Sequence, residues 1–178
     1  MQRREAIQRV AVLMGGTIIG AEAFLSGCKT PARKEGLFYD TDVALMDEIG
    51  ETILPGAPGI PGAKEAKIGD FMKVIVTDCY APAEQDVFTK GLQALKDQKF
   101  MDLTADQRHD LLARLDKEAR DPKYDEKHLH YFKMLKQLTI WGYFSSEAGA
   151  TKALRYIETP GRYDGNVPYK KGDKAWAI

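Results

Sequence analysis

The chain has 178 residues, 26 Lys and Arg against 26 Asp and Glu, 44% hydrophobic content and two cysteines. This size and composition suit one folded domain and exclude a disordered chain, a collagen and a disulfide scaffold. The balanced charge argues against nucleic-acid binding, which needs an excess of Lys and Arg on one face. No stretch reaches the roughly 18 uncharged apolar residues that a membrane-spanning helix requires.

Residues 1–27 have the order of an export signal. Arg3, Arg4 and Arg9 precede an uncharged run at positions 10–21, which is too short to span a bilayer but typical of a signal core. Arg3 and Arg4 resemble the twin-arginine export motif. The residues that follow Arg4 match that motif only in part, so the general secretory route stays open as the alternative.

The signal ends in a motif for lipid attachment. Leu25-Ser26-Gly27-Cys28 matches the bacterial lipobox, in which the cysteine is diacylated and becomes the first mature residue. An ordinary cysteine near the N-terminus is the alternative. With lipid on Cys28, residues 28–40 form a lipidated tether, residues 41–178 form the folded domain, and the protein is a periplasmic lipoprotein of the cell envelope, anchored to a membrane without spanning it.

Beyond the tether, the sequence predicts helices separated by proline and glycine. Thr41 is the predicted N-cap of the first helix, and Pro55 with Gly56 ends it. A second helix ends before Pro82, and its apolar stripe predicts that Cys79 is an inert cysteine on a buried face, with a reactive or intermolecularly bridged thiol as the alternative. The apolar positions of the two helices are Leu45, Met46, Ile49 and Ile53, then Ile68, Phe71, Met72, Ile75, Val76 and Cys79.

Four further helical segments follow in the sequence. The third helix begins near Pro82, a residue that the first turn of a helix tolerates. The fourth opens with a capping box from Thr104 to Gln107 and stops at Asp121-Pro122. The fifth is predicted over about 126–144, and a shorter helix over about 150–157.

The absence of an alternating strand pattern predicts an all-α fold, a single compact domain of five or six helices. Two segments differ from this pattern. Residues 55–62 repeat proline and glycine every three residues and are predicted to form an extended loop. From Thr159 onward, glycine and proline alternate with large rings, which predicts an irregular aromatic C-terminal tail that needs a surface to lie on.

The sequence offers no pattern typical of catalysis or of cofactor binding. His128 and His130 would point to different faces of a helix, and no Cys or carboxylate cluster completes a metal site. Ser145-Ser146-Glu147 lacks a nucleophile elbow and a base, so these serines are expected at a helix terminus. Motifs for dinucleotide, phosphate and haem binding are missing. We therefore expect no catalytic residue, metal or cofactor in this chain, which is not an enzyme by itself.

Aromatic residues are concentrated near the C-terminus. The three-residue spacing of Trp141 and Phe144 favours a buried helix face, with a partner interface as the alternative. For Tyr163, Tyr169 and Trp176 a binding role is favoured, because a tail rich in glycine and proline orders only when its rings find pockets in this domain or in a partner.

The same region carries a specific family resemblance. Residues 139–149 (TIWGYFSSEAG), 154–156 (LRY) and 160–165 (PGRYDG) resemble the gluconate 2-dehydrogenase subunit 3 family. Shorter stretches from Ile53 to Phe71 and from Phe100 to Leu112 are similar to that family in the same order, so the resemblance covers about residues 43–169.

The resemblance implies a small subunit that holds no cofactor and binds an FAD-dependent catalytic subunit of the glucose-methanol-choline dehydrogenase type. That partner would oxidise a sugar, sugar acid or polyol and pass electrons to a cytochrome c. The small subunit commonly carries a twin-arginine signal and escorts the catalytic subunit across the membrane. The implied partner interface comprises Trp141, Tyr143, Phe144 and Ser146 with the tail residues Tyr163, Tyr169 and Trp176.

A free-standing envelope lipoprotein that binds a sugar or another small ligand is the alternative function. It requires a pre-formed cavity with convergent polar groups. Residues 140–144 are almost wholly apolar apart from Tyr143, which favours a protein partner.

Overall fold

Helices dominate the structure, a computed structural model that describes residues 36–124, 128–159, 161–162 and 165–177. The predicted export signal, Cys28 and Tyr163 lie outside the described residues. Five α-helices, two single turns and two short strands are present in the described part. The helices are α1 Asp40–Ile53, α2 Ile68–Cys79, α3 Pro82–Asp97, α4 Ala105–Glu118 and α5 Tyr131–Ser145, with a 3-10 turn at Phe100–Asp102, a π-helical turn at Gly149–Ala153, and strands β1 Arg155–Tyr156 and β2 Trp176–Ala177.

The prediction of an all-α domain with an irregular aromatic tail is confirmed. None of the helices in the described residues is long and apolar enough to cross a membrane. α5 packs against each of the other four α-helices and is therefore the central helix of the domain. The largest fully buried side chains come from α1, α2, α3, the 3-10 turn and α5, and include Leu45, Met46, Ile49, Ile68, Met72, Phe88, Leu95, Phe100, Leu135 and Leu138.

α1 begins two residues earlier than predicted. Tyr39, not Thr41, is the N-cap, and its N–H donates to the Asp42 carboxylate at 2.8 Å. A carboxylate three residues into the helix performs the capping that the sequence assigned to a hydroxyl. Buried Asp42 also forms an ion pair with Lys96, which joins the start of α1 to the end of α3.

Cys79 is exposed, so the prediction of a core cysteine is wrong. The buried row of α2 runs at four-residue spacing through Ile68, Met72 and Val76. That row continues to Tyr80, which is partly buried, and leaves Cys79 beside it at the last position of the helix. The apolar stripe in the sequence is wider than the face that the neighbouring helices cover.

The segment 55–62 folds back on itself instead of extending. Ala57 and Ile60 exchange two backbone hydrogen bonds of 2.8 Å across the pair Pro58-Gly59. Gly59 has a φ of +76°, and proline followed by glycine at positive φ defines a type II turn. The regular spacing of proline and glycine suggested an extended chain, but one of its Pro-Gly pairs forms this four-residue turn.

The helix boundaries near the C-terminus also differ from the prediction. α5 starts at Tyr131 instead of near residue 126. The short helix predicted over 150–157 is a single π-helical turn that Leu154 separates from β1, and β1 pairs in parallel with β2. Each strand has only two residues, so neither produces the alternating pattern by which strands are recognised.

Candidate partner-binding surface

The outward face of α5 changes from polar to apolar along the helix. Lys133 and Gln137 are exposed in its first half. In its second half the exposed side chains are Ile140, Trp141 and Phe144, with 40%, 56% and 38% of their surface accessible. Residues three and four apart are neighbours on a helix, so these three side chains form one continuous apolar strip.

The prediction that Trp141 and Phe144 are core residues is therefore wrong. Their three-residue spacing correctly placed both side chains on the same face of α5, but that face points to solvent and not to the core. α5 is apolar on both sides, and Leu135 and Leu138 occupy the inner side. Both side chains are exposed instead, and the alternative, a partner interface, stays a prediction.

Phe71 of α2 extends the apolar strip sideways. Its ring packs edge-on against Trp141, with ring centres 5.2 Å apart and planes at 86°. A Cβ at Gly142 would lie 2.5 Å from the Phe71 ring, so the glycine permits the close approach of α2 and α5. We call the surface formed by Phe71, Ile140, Trp141 and Phe144 the aromatic ridge.

Tyr143 lies in the core and not on the surface. Only 4% of it is accessible, and its hydroxyl donates to the Pro61 carbonyl at 2.6 Å. Burial raises the pKa of the Tyr143 hydroxyl, and the nearby Glu51 and Glu65 charges raise it further. Tyr143 thus remains a neutral donor that ties α5 to the loop before α2, and the expectation that it faces a partner is corrected.

The two serines at the end of α5 have the helix-terminus role expected from the sequence. The Ser145 hydroxyl donates to the Trp141 carbonyl at 2.7 Å. The Ser146 hydroxyl donates to the Tyr143 carbonyl at 2.6 Å and accepts from the Gly149 N–H at 3.1 Å. Ser146 therefore fixes the turn that ends the central helix, and its place in a partner interface stays a prediction.

The predicted aromatic tail is exposed wherever it is described. Tyr169 is 77% accessible and Trp176 is 46% accessible. The Arg155 guanidinium lies 4.2 Å from the centre of the Trp176 ring, so part of that ring is already engaged within the chain. A partner-binding role for Tyr169 and Trp176 stays a prediction.

Sequence reasoning missed two members of the aromatic ridge. Phe71 was assigned to the core stripe of α2, and Ile140 was not singled out for the interface. A signal for Ile140 existed in the sequence, because the second half of α5 is apolar on almost every side. A helix that is apolar all round must be buried on all sides, either within its own domain or by another molecule.

One ionic cluster joins three parts of the fold. The Glu48 carboxylate of α1 accepts from the Lys64 ammonium at 2.8 Å and also pairs with Arg108 of α4. The hydrogen bond from Lys64 lowers the pKa of Glu48, and the charges of Lys64 and Arg108 lower it further. Within the described residues, no group of three or more His, Cys, Asp and Glu side chains could hold a metal ion.

Two open depressions lie on the surface of the described residues. One, of about 820 Å³, lies along α4 beside Leu103, Leu111 and Arg114. The other, of about 460 Å³, lies between Glu48 and the turn before α2. Both open broadly to solvent, so neither has the enclosed shape that typically buries most of a small ligand.

His130 is the N-cap of α5 and is almost fully buried. Its Nδ1 accepts a hydrogen bond of 3.2 Å from the Phe132 N–H, so this nitrogen must be unprotonated. Burial lowers the pKa of His130, the Lys123 charge lowers it further, and the Glu118 carboxylate opposes both. The rings of Tyr124 and Tyr131 pack against the imidazole, with ring centres 4.6 Å and 4.8 Å away.

Acidification is expected to destabilise the domain through His130. The histidine is protonated in the unfolded chain near its ordinary pKa of 6.5 but resists protonation in the fold. Stability is therefore present above pH 6.5 and falls as the pH is lowered, by at most about 1.4 kcal/mol per pH unit for one proton. His130→Asn keeps a capping acceptor without titrating, so the loss of stability between pH 7.5 and pH 5 should become smaller.

Urea unfolding at pH 7.5 and at pH 5 measures this difference. His109→Asn is the matched control, because it makes the same substitution at a histidine that is exposed on α4, whereas His130 packs against two tyrosine rings. The interpretation fails if wild type and His130→Asn lose equal stability on acidification.

The described residues form a small all-α domain whose central helix carries an exposed aromatic ridge. A family model for gluconate 2-dehydrogenase subunit 3 matches residues 40–161, which include all five α-helices. The chain therefore belongs to the gluconate 2-dehydrogenase subunit 3 family and is an accessory subunit of a dehydrogenase complex, as the sequence resemblance implied. No curated protein and no solved structure matches the chain significantly.

Proposed function

We propose that this chain is a non-catalytic small subunit that binds an FAD-dependent catalytic subunit of the glucose-methanol-choline type through its aromatic ridge. The observation that supports this proposal is the exposure of Ile140, Trp141 and Phe144 on a helix whose other side is fixed in the core. Large aromatic side chains are enriched at the buried centres of protein interfaces and often dominate their binding energy.

The packing of α5 prepares the ridge for binding. Because α5 contacts the other four α-helices, its outward face is held in place before any partner arrives. A preformed surface loses little backbone freedom on binding, which leaves more of the contact energy for affinity. Membership of the subunit 3 family points to a dehydrogenase catalytic subunit as the partner.

The proposal divides the chemistry between two chains. The catalytic subunit holds FAD, which would take a hydride from a CH–OH group of a sugar, sugar acid or polyol. A cytochrome c would then receive the electrons. This chain supplies the docking surface and stabilises the catalytic subunit, and the roles of the tail residues Tyr169 and Trp176 in that surface remain part of the proposal.

The proposal also places the complex at a membrane. Residues 1–27 direct export, and Arg3 with Arg4 provides a twin-arginine route by which a folded partner could be escorted.

The tether predicted over residues 28–40 is shorter than expected, because Phe38 is buried in the core and α1 begins at Asp40. A diacylated Cys28 followed by about ten tether residues would hold the domain within about 20 Å of the bilayer, the span of a flexible chain of that length. That distance raises the effective concentration of the enzyme near a membrane-bound acceptor.

Purification of the tagged chain from solubilised membranes of its native host tests the proposal. We expect one flavoprotein at a roughly equal molar amount, seen by its visible flavin spectrum and by mass spectrometry of the eluate. Cys28→Ala should move the chain and its flavoprotein to the soluble fraction together, because the anchor and the ridge act independently. A colourless chain without a flavoprotein would contradict the proposal and favour a free-standing ligand-binding lipoprotein.

A further inference from the structure

The two short strands close the C-terminal tail into a loop. β1 and β2 pair in parallel, with Arg155 opposite Trp176 and Tyr156 opposite Ala177. The Arg155 N–H also donates to the Ala175 carbonyl at 2.8 Å. The segment between the strands, which we call the loop, therefore begins and ends beside the same part of the domain.

Side chains reinforce this closure. The Arg155 guanidinium stacks 4.2 Å from the centre of the Trp176 ring, a favourable cation–π distance. The buried Nε of Arg155 has no hydrogen-bond partner in the described part of the chain. The Lys174 ammonium donates to the Lys152 carbonyl. Two residue pairs alone make a marginal ladder, so these side-chain contacts are needed to hold it.

The closed loop displays apolar side chains to solvent. Ile157 begins it, and Val167 and Tyr169 lie further along; all three are exposed. A hydrogen bond of 3.0 Å from the Lys170 N–H to the Asp173 carboxylate shapes the turn before the second strand. Loops held by a rigid scaffold often carry binding residues, and exposed apolar side chains on such a loop can insert into a partner protein.

The loop differs in charge from the helices. Within the loop, residues 165–175 carry three basic side chains and one acidic side chain, whereas residues 40–149 carry 14 basic and 20 acidic side chains. A net positive segment on a net negative domain favours a partner surface that is locally acidic, since complementary charge speeds and orients encounter.

We infer that Arg155 and Trp176 form a clasp that presents loop residues 165–175 to an acidic face of the dehydrogenase catalytic subunit. This inference rests on the proposed function and adds a second contact region to the aromatic ridge. Arg155 is a positioning residue, and Trp176 acts chiefly through the clasp. Closing the loop before binding removes much of the ordering that a free tail would undergo at the interface.

Arg155→Gln tests the clasp in the free chain, because glutamine removes the cation but keeps the backbone pairing possible. A protease that cleaves after lysine should cut at Lys170 and Lys171 about tenfold faster in this variant than in wild type. Lys152→Gln is the matched control, since it removes an equal charge nearby but keeps the carbonyl that accepts from Lys174. Arg155→Lys retains a cation and should recover part of the protection.

Binding to the purified catalytic subunit tests the docking role of the loop. Arg155→Gln should weaken the affinity about tenfold, and Lys152→Gln less than twofold. Unchanged cleavage in Arg155→Gln overturns the clasp, and unchanged affinity overturns the docking role. If wild type binds phosphatidylglycerol vesicles while its affinity for the catalytic subunit is insensitive to Arg155→Gln, the basic loop serves a lipid surface and the inference is also overturned.

Failure of the proposed function has a different signature. In that case wild type binds no catalytic subunit at all. The docking role of the loop is then also excluded, whether or not the cleavage experiment supports the clasp. A wild-type complex that tolerates Arg155→Gln without loss overturns the loop inference alone and leaves the function of the ridge intact.

Discussion

Replacing Trp141 and Phe144 together by alanine is expected to weaken binding of the catalytic subunit by about 100-fold or more. Truncation of an aromatic anchor at an interface typically costs about 2 kcal/mol or more, and a tenfold loss of affinity corresponds to about 1.4 kcal/mol. Both side chains are exposed in the free chain, so the free energy of unfolding should change by only about 1 kcal/mol.

Titration calorimetry with the purified catalytic subunit measures the affinity, and urea unfolding of the free chain measures its stability. Met101→Ala is the matched control, because Met101 is similarly exposed at 46% but lies on the 3-10 turn before α4. An equal loss of affinity in Met101→Ala, or none in the double variant, would contradict docking at the ridge.

Gly149→Ala is expected to destabilise the domain by about 3 kcal/mol, the upper part of the range for forced overpacking. A Cβ at Gly149 would lie 1.9 Å from the Tyr143 carbonyl oxygen and 2.7 Å from its carbon. Both atoms belong to the backbone at the end of α5 and cannot rotate away. The turn must open, and the hydrogen bond from the Gly149 N–H to the Ser146 hydroxyl is lost with it.

Thermal and urea unfolding measure this effect. Gly161→Ala is the control, since a Cβ at Gly161 meets no atom within 4 Å. We expect the control to unfold within about 0.5 kcal/mol of wild type, as surface substitutions usually do. Equal stability of Gly149→Ala and Gly161→Ala would show that the tight turn after α5 does not constrain the fold.

The helices could be predicted because their signals are local. Periodic apolar residues mark a helix through neighbours in the sequence alone. The capping box is just as local: the Thr104 N–H donates to the Gln107 side chain at 3.0 Å, and the Gln107 N–H donates to the Thr104 hydroxyl at 3.4 Å. Proline at the start of α3 is equally local. The fold class follows from such elements without knowledge of how they pack.

The features that were predicted wrongly depend on packing between elements. Whether Trp141 or Tyr143 points inward depends on where α2 and the preceding loop lie against α5, and Cys79 is exposed because its helix ends beside the buried row. The pairing of Arg155 with Trp176 joins distant residues, so no local pattern reveals it. The sequence thus limits the candidate interface residues to α5 and the C-terminal tail. Which of their side chains face solvent can be seen only in the structure.

Site-specific photocrosslinking tests the docking of the catalytic subunit on the ridge most directly. A photoreactive benzoyl-phenylalanine is placed at Trp141 in one variant and at Met101 in another, and each purified complex is irradiated. The proposed function predicts a covalent adduct with the flavin-binding subunit from position 141 and little or none from position 101. A complex that forms normally but gives no adduct from position 141 would show that the aromatic ridge is not where the partner binds.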